Sequence, residues 1–259
     1  MKTIPFFKYS ANGNDFIILP GAYNLGPELI QKMCHRQFGI GADGVLVLTP
    51  FENTDGEMKI YNADGFEAEM CGNGLRALVT YIHDSAQVKK NLYRIKTMNH
   101  VYEARVDSFG IAIEMSERAD EQKFDLSIFK EFSKAYFVNT GVPHLIFLAD
   151  KVHDLIPKEK APFYRFHPLF PQGTNVTFVG DIELNKQSAY ARTYERGVED
   201  ETFSCGTGLT ATAIALQNWF GWKGDILLKT KGGDQRVQIQ DKILYSGVVN
   251  FIFKGEYSA

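Results

Sequence analysis

Apolar runs of strand length recur along the whole chain. They cover Phe16–Leu19, Val45–Leu48, Met58–Tyr61, Tyr102–Val106, Ile111–Met115, Tyr136–Val138, Leu145–Leu148, Val176–Val179, Ala189–Tyr194, Ile226–Thr230, Arg236–Ile239 and Gly247–Phe253. Several alternate with polar positions, as strands with one buried face do. Helical spacing is rarer. Pro27–Arg36 carries it, with Pro27 suited to a first turn. Leu75–His83 and Leu209–Trp219 carry it too, with apolar residues three and four apart. No run reaches the eighteen or so apolar residues that a membrane helix needs.

The pattern repeats. Residues 71–77 read CGNGLRA and residues 205–211 read CGTGLTA, 205 − 71 = 134 apart, each after a Gly-x-Glu run. Asn12–Ile18 resembles Asn139–Ile146, a loop entering an apolar strand. Gly41–Val47 resembles Gly173–Val179, and Ile95-Lys96-Thr97 resembles Leu228-Lys229-Thr230. Four matches in one order at nearly constant offset point to an internal duplication. The expected class is α+β: two pseudo-symmetric domains, each a mixed β-sheet or barrel around a central helix that starts at its cysteine, with the active site in the cleft between them. The expected boundaries are 1–117 and 118–246, with the charged stretch Ser116–Asp125 as the divide. The last strand, within 247–259, is expected to cross back to the first domain.

Composition narrows the partners. The chain has 259 residues, 44% hydrophobic and 23% charged, with a net charge of −3. That is a globular balance, and it argues against nucleic acid as a partner. The start, MKTIPFFKYSANGNDF, has no signal-peptide h-region. Three cysteines fit a reduced compartment, and cytoplasm is the expectation. No CxxC or CxxH spacing exists, so no metal is expected. Gly39–Gly44 matches GxGxxG, but it precedes a strand rather than opening a helix, so a dinucleotide site is rejected.

Chemistry concentrates at the repeated cysteines. A thiol is a weak base unless its thiolate is stabilised. Cys71 and Cys205 fall at the starts of the two expected helices, where free N–H groups and the dipole favour an anion. The N–H groups of Gly72-Asn73 and Gly206-Thr207 can also hold a substrate carboxylate. Two matched thiols suit inversion of a carbon centre: one takes a proton from one face, the other gives a proton to the opposite face. A single buried cysteine before a glycine turn is ordinarily packing, and Cys34, without a repeat partner, is read that way. The duplication is what favours chemistry at the other two.

These motifs resemble the diaminopimelate epimerase family. The resemblance rests on Asn62 through Arg76 around Cys71, on Tyr194-Glu195-Arg196-Gly197 through Cys205-Gly206-Thr207-Gly208, and on Gly13–Phe16, Gly39–Gly41, Pro143-His144 and Asn175. It implies a cofactor-independent isomerase acting on LL-diaminopimelate in lysine and peptidoglycan precursor synthesis, with Cys71 and Cys205 as proton donor and acceptor. It implies that His144 and Glu195 tune the thiols. Asn14, Asn62, Asn175, Glu195 and Arg196 would hold the substrate, with Gly72, Asn73, Gly206 and Thr207 donating to the reacting carboxylate. The partner is a small amino acid, with no membrane; a homodimer is left open. The chain departs from the family at Gly44, where a Gln is usual, at Val142, where an Asn is usual, and at Phe66, where a Ser is usual. The first two weaken the hold on the distal end of the substrate and open the site to glutamate or aspartate. The alternatives are a proline or hydroxyproline racemase and a binding protein without chemistry, which would need neither thiol.

Overall fold

The computed structural model describes residues 3–115 and 124–258. Most of the expected divide, residues 116–123, lies outside the described residues. Two compact units emerge: Met1–Ile113 with Gly247–Ala259, and Glu114–Ser246.

In the first unit, β1 (Thr3–Ala11) pairs antiparallel with β2 (Asn14–Pro20), which pairs parallel with β3 (Gly44–Thr49). A parallel pair needs a crossover, and α1 (Pro27–Cys34) supplies it. Its Ile30, Met33 and Cys34 are buried in a core with Phe6, Ile17, Leu19 and Val45. Strand β4 (Gly56–Asn62) lies antiparallel to β3 and to β5 (Glu67–Ala68), and parallel to β6 (Leu92–Lys96). Strands β7 (Val101–Asp107) and β8 (Gly110–Glu114) continue antiparallel. The C-terminal strand Val249–Ser258 pairs antiparallel with β1, from Thr3 opposite Ser258 to Ala11 opposite Val249. Helix α2 (Gly72–Ser85) joins β5 to β6 and packs on β1 to β4. Its Leu75, Leu78 and Val79 are fully buried, each contributing about 1.5–3 kcal/mol through removal from water.

The second unit repeats that order of pairings. Strand β9 (Lys134–Asn139) is antiparallel to β10 (Pro143–Leu148), which is parallel to β11 (Asn175–Glu183), with α3 (Pro157–Arg165) in the crossover. Strand β12 (Ser188–Glu195) is antiparallel to β11 and β13 (Asp200–Thr202), and parallel to β14 (Gly224–Thr230). Strand β15 (Gly233–Ile239) is antiparallel to β14, and β16 (Ile243–Gly247) follows. Helix α4 (Gly206–Phe220) is buried at every position from Gly208 to Leu216, as a helix enclosed by strands must be. It packs on strands β9 to β12, β14 and β15. Gly221 ends it in the left-handed region at φ 71°. The core is aromatic, with Phe137, Phe147, Tyr164, Phe170 and Phe178.

From β1 to β7 and from β9 to β15 the pairings match one by one, which is the duplicated α+β fold expected from the repeat. Phe16 lies opposite Gly44 where Leu145 lies opposite Val176. One step earlier, Asp15 and Asp43 correspond to His144 and Asn175. The elements differ from expectation in detail. Strands β1, β5, β6, β13 and β16 and helix α3 have no counterpart in the pattern reading. Helix α1 stops at Cys34 rather than Arg36, because His35 turns extended and its ring nitrogen accepts from the Gln37 and Phe38 N–H groups. The last strand begins at Val249, with Gly247 closing β16.

Candidate active site

Cys71 is the N-cap of α2, extended at φ −142° and ψ 118°. Its Sγ accepts from Gly74 N at 3.4 Å, so the sulfur takes the place that a serine oxygen holds in an ordinary cap. Gly74 sits in close quarters: a Cβ there would lie 3.2 Å from Leu46 Cδ2 and 3.3 Å from Ile60 Cδ1. The thiol donates to Asn14 Oδ1 at 3.8 Å, and Asn73 Nδ2 donates to the same oxygen at 3.4 Å. Asn14 Nδ2 donates to Asp43 Oδ2 at 2.7 Å. Arg36 grips Asp43 at 2.6 Å and Asp15 at 2.9 Å, and Lys8 pairs with Asp15 at 2.7 Å. Lys8 and Arg36 hold the Asp15 carboxyl below the usual carboxylate range, at about 2, against the upward pull of its burial. Fully buried Arg76 donates to Asn73 Oδ1 at 2.7 Å and to Asn12 Oδ1 at 3.0 Å.

Cys205 is the N-cap of α4. Burial pushes its thiol up to about 12, and the neighbouring Glu195 carboxylate pushes the same way, against the Thr207 hydroxyl and the Gly208 N–H. Desolvation of the charged form outweighs the donors at this helix start. Glu195 is itself raised by burial, opposed by the nearby Thr202 hydroxyl and Cys205 thiol. His144 is fully buried, and burial with the Arg196 charge lowers it to about 3, so the imidazole is neutral. Its Nε2 lies 3.0 Å from Thr207 Oγ1, which lies 3.5 Å from Cys205 Sγ. The Thr207 hydroxyl thus stands between imidazole and thiol. Thr140 Oγ1 donates to the Thr207 carbonyl at 3.0 Å and holds that residue in place. Among the described residues, His144 Nδ1 has no hydrogen-bond partner.

The structure groups Asn14, Cys71 and Asn73 around one sulfur, and Glu195, Thr207, His144 and Cys205 around the other. Gly72 and Gly206 open their helices beside those sulfurs. Asn62 is exposed at the end of β4. Asn175 bridges backbone, donating to the Pro143 carbonyl at 2.9 Å and accepting from Arg196 N at 2.7 Å. The Arg196 guanidinium donates to the Gln172 carbonyl at 3.0 Å. At Gly44 a Cβ would lie 2.6 Å from the Tyr61 carbonyl oxygen. A side chain there would require the Tyr61 backbone to shift. Asp43, Arg76 and Thr140 were not among the expected site residues. The only sign of the first two in the sequence was their position inside the Gly39–Gly44 and CGNGLR segments.

Two cysteine-capped helices on a duplicated scaffold define a class, and solved structures share the scaffold. A phenazine biosynthesis protein of the PhzF family from Bacillus anthracis superposes with TM-score 0.75 at 15% identity, covering 100% of both chains. A hydroxyproline epimerase from Agrobacterium vitis, with trans-4-hydroxy-L-proline bound, superposes with TM-score 0.62 at 13% identity, covering 98% of this chain and 92% of that one. At such identities these show the fold alone. The family model for diaminopimelate epimerase matches residues 6–117 and 136–252. A diaminopimelate epimerase from Methanocella arvoryzae is 36% identical over 276 aligned positions, covering 99% of this chain and 97% of that one. One from Flavobacterium psychrophilum is 35% identical over 260 positions, covering 96% and 98%. The chain belongs to the diaminopimelate epimerase family, and it is an isomerase.

Proposed function

We propose that the protein converts LL-diaminopimelate to the meso form without a cofactor, by proton transfer between its two thiols and one α-carbon, in lysine and peptidoglycan precursor synthesis. The observation that carries this is the pair of cysteine N-caps in equivalent positions of a duplicated chain. One sulfur, as thiolate, removes the α-proton. The other, as thiol, delivers its proton to the opposite face, and the roles exchange for the reverse reaction. Cys205, pushed up to about 12, enters as the thiol, which leaves Cys71 as the base for that direction. The negative charge that develops on the α-carboxylate is met by the helix N–H groups of Gly72-Asn73 and Gly206-Thr207, donors fixed before the reaction begins. His144, neutral, and Glu195 set the proton affinity of Cys205, His144 acting through Thr207. Asn14, Asn62, Asn175 and Arg196 orient the substrate.

The test is incubation of the reduced protein with LL-diaminopimelate and no added cofactor, following stereochemistry, with glutamate, aspartate and proline in parallel. Inversion of diaminopimelate, lost in Cys71→Ala and in Cys205→Ala, supports the reading. Inversion of proline in preference to diaminopimelate would transfer it to the racemase alternative. No reaction with any of them would leave the binding-protein reading in its place.

A further inference from the structure

We infer that Asp43 and Arg76 are positioning residues that fix the amide of Asn14 with its oxygen toward Cys71, and so keep that sulfur a strong base. The inference deepens the two-thiol reading and rests on it for its catalytic meaning.

The chain of contacts has ends of opposite chemistry. Arg76 has only donors to offer, so Asn73 must present its oxygen to it, at 2.7 Å. Asn73 then has its NH2 facing Asn14, 3.4 Å from Oδ1. At the other end, Asp43 is a carboxylate paired with Arg36 at 2.6 Å, and offers only acceptors. Asn14 must present its NH2 to it, at 2.7 Å. Asp43 Oδ2 also accepts from Asp15 N at 3.1 Å, which fixes the carboxylate against rotation. Both ends impose the same orientation on Asn14, so its amide direction is set by two charged groups rather than by choice between near-equal alternatives. The oxygen that results is the one 3.8 Å from Cys71 Sγ.

An acceptor beside a sulfur stabilises the S–H form and gives nothing to the thiolate. A thiolate without donors on this side binds a proton more tightly and is the stronger base. The Gly74 N–H, 3.4 Å from Sγ, acts in the opposite sense. The Asn14 oxygen limits that stabilisation. Replacing Asp43 by Asn removes the acceptor-only character of one end. The new amide satisfies Arg36 or the two donors Asn14 Nδ2 and Asp15 N, not both as the carboxylate does, so the orientation of Asn14 is held by the Asn73 end alone and its NH2 gains access to Cys71.

The test reads the thiol directly. The intact protein is treated with iodoacetamide at fixed neutral pH, and the adduct on each cysteine is followed by peptide mass spectrometry. Alkylation follows the thiolate fraction. Asp43→Asn is expected to speed alkylation of Cys71 severalfold while lowering kcat. Buried Cys34, in the same digest, should stay unmodified, which separates the effect from a loosened fold. Asp43→Glu, which keeps an acceptor-only end, should bring both values back toward wild type. Asn14→Asp, which shares a proton with Asp43 and so turns its other, acceptor oxygen to the sulfur, should slow alkylation below wild type, a direction that loosening does not produce. Wild-type alkylation of Cys71 in Asp43→Asn with Cys34 protected would overturn the inference, as would faster alkylation in Asn14→Asp. These readouts need no substrate, so failure of the proposed reaction and failure of this inference are separately visible.

Discussion

The two cysteines cap equivalent helices, yet their surroundings have diverged. Around Cys71 the sulfur is only partly covered, and the neighbouring groups form a charged chain from Lys8, Asp15, Arg36 and Asp43 through two amides to Arg76. Around Cys205 the sulfur is buried, and its neighbours are a neutral imidazole, a hydroxyl and a carboxyl raised by burial. At the corresponding strand position the first unit has Asp15, salt-bridged and lowered to about 2, where the second has His144, buried and lowered to about 3. Duplication kept what the backbone dictates: the cap, the glycine turn and the enclosed helix. It left the side chains free to surround each thiol differently, which suits the proposed division into one acid and one base.

The bluntest way to break this comparison is to remove either sulfur. Cys71→Ala and Cys205→Ala are each expected to lower epimerisation by about 10²–10⁴-fold, read as formation of the meso product. If one variant kept full activity, the two half-sites would not share a reaction. Glu195→Gln tests the second half-site alone. Removing that negative charge should lower the Cys205 thiol from about 12, though burial, the larger cause, should keep it above an exposed thiol. The pH dependence of thiolate absorbance, taken against Cys205→Ala, checks it.

Stability against pH should also distinguish the halves. His144 has a folded value near 3 against 6.5 unperturbed. The unfolded chain therefore binds the extra proton first. The stability that the neutral ring contributes is complete above pH 6.5 and is lost as pH falls toward 3. The loss is at most about 1.4 kcal/mol per pH unit. Denaturant melts of wild type and His144→Gln between pH 7 and 4 should show a shallower slope in the variant. The smallest effect is expected at the glycine two residues into each helix. A Cβ on Gly208 would lie 3.3 Å from Cys205 Sγ and 3.2 Å from Thr193 Oγ1. Gly208→Ala should change stability by no more than about 1–2 kcal/mol, strain being offset by helix propensity. It should shift the Cys205 titration more than Gly74→Ala, with contacts to Leu46 and Ile60, shifts that of Cys71.

Much of this was legible because the duplication spoke twice. CGNG and CGTG located both caps, and the paired strands behind them had clean apolar runs. Strand β1 was hidden because Lys8 occupies one of its inward positions, where it meets Asp15 and the Gly41 carbonyl. Helix α3 was hidden by a polar stretch with Pro162 inside it. It forms because Ala161 and Tyr164 bury against the second core, where Tyr164 packs on Phe147 and Phe129. At the site, the cysteines, His144 and Glu195 could be found from motifs. Asp43 and Arg76 could not, because their importance lies in being acceptor-only and donor-only ends of a chain that forms only in three dimensions. The rise in proton affinity at Cys205 was hidden for a related reason. A helix start favours an anion, but burial opposes it, and so does the charge of Glu195 on β12, and neither can be read from the CGTG motif itself.

The most direct measurement of the central claim is where solvent hydrogen goes at low conversion. LL-diaminopimelate is incubated with the reduced protein in deuterium oxide, and product and remaining substrate are separated early. Two thiols serving opposite faces predict that the inverted centre of the product carries deuterium while the recovered substrate stays protium. Deuterium entering the recovered substrate as fast as it enters the product would mean that a single base serves both faces, and would contradict the account.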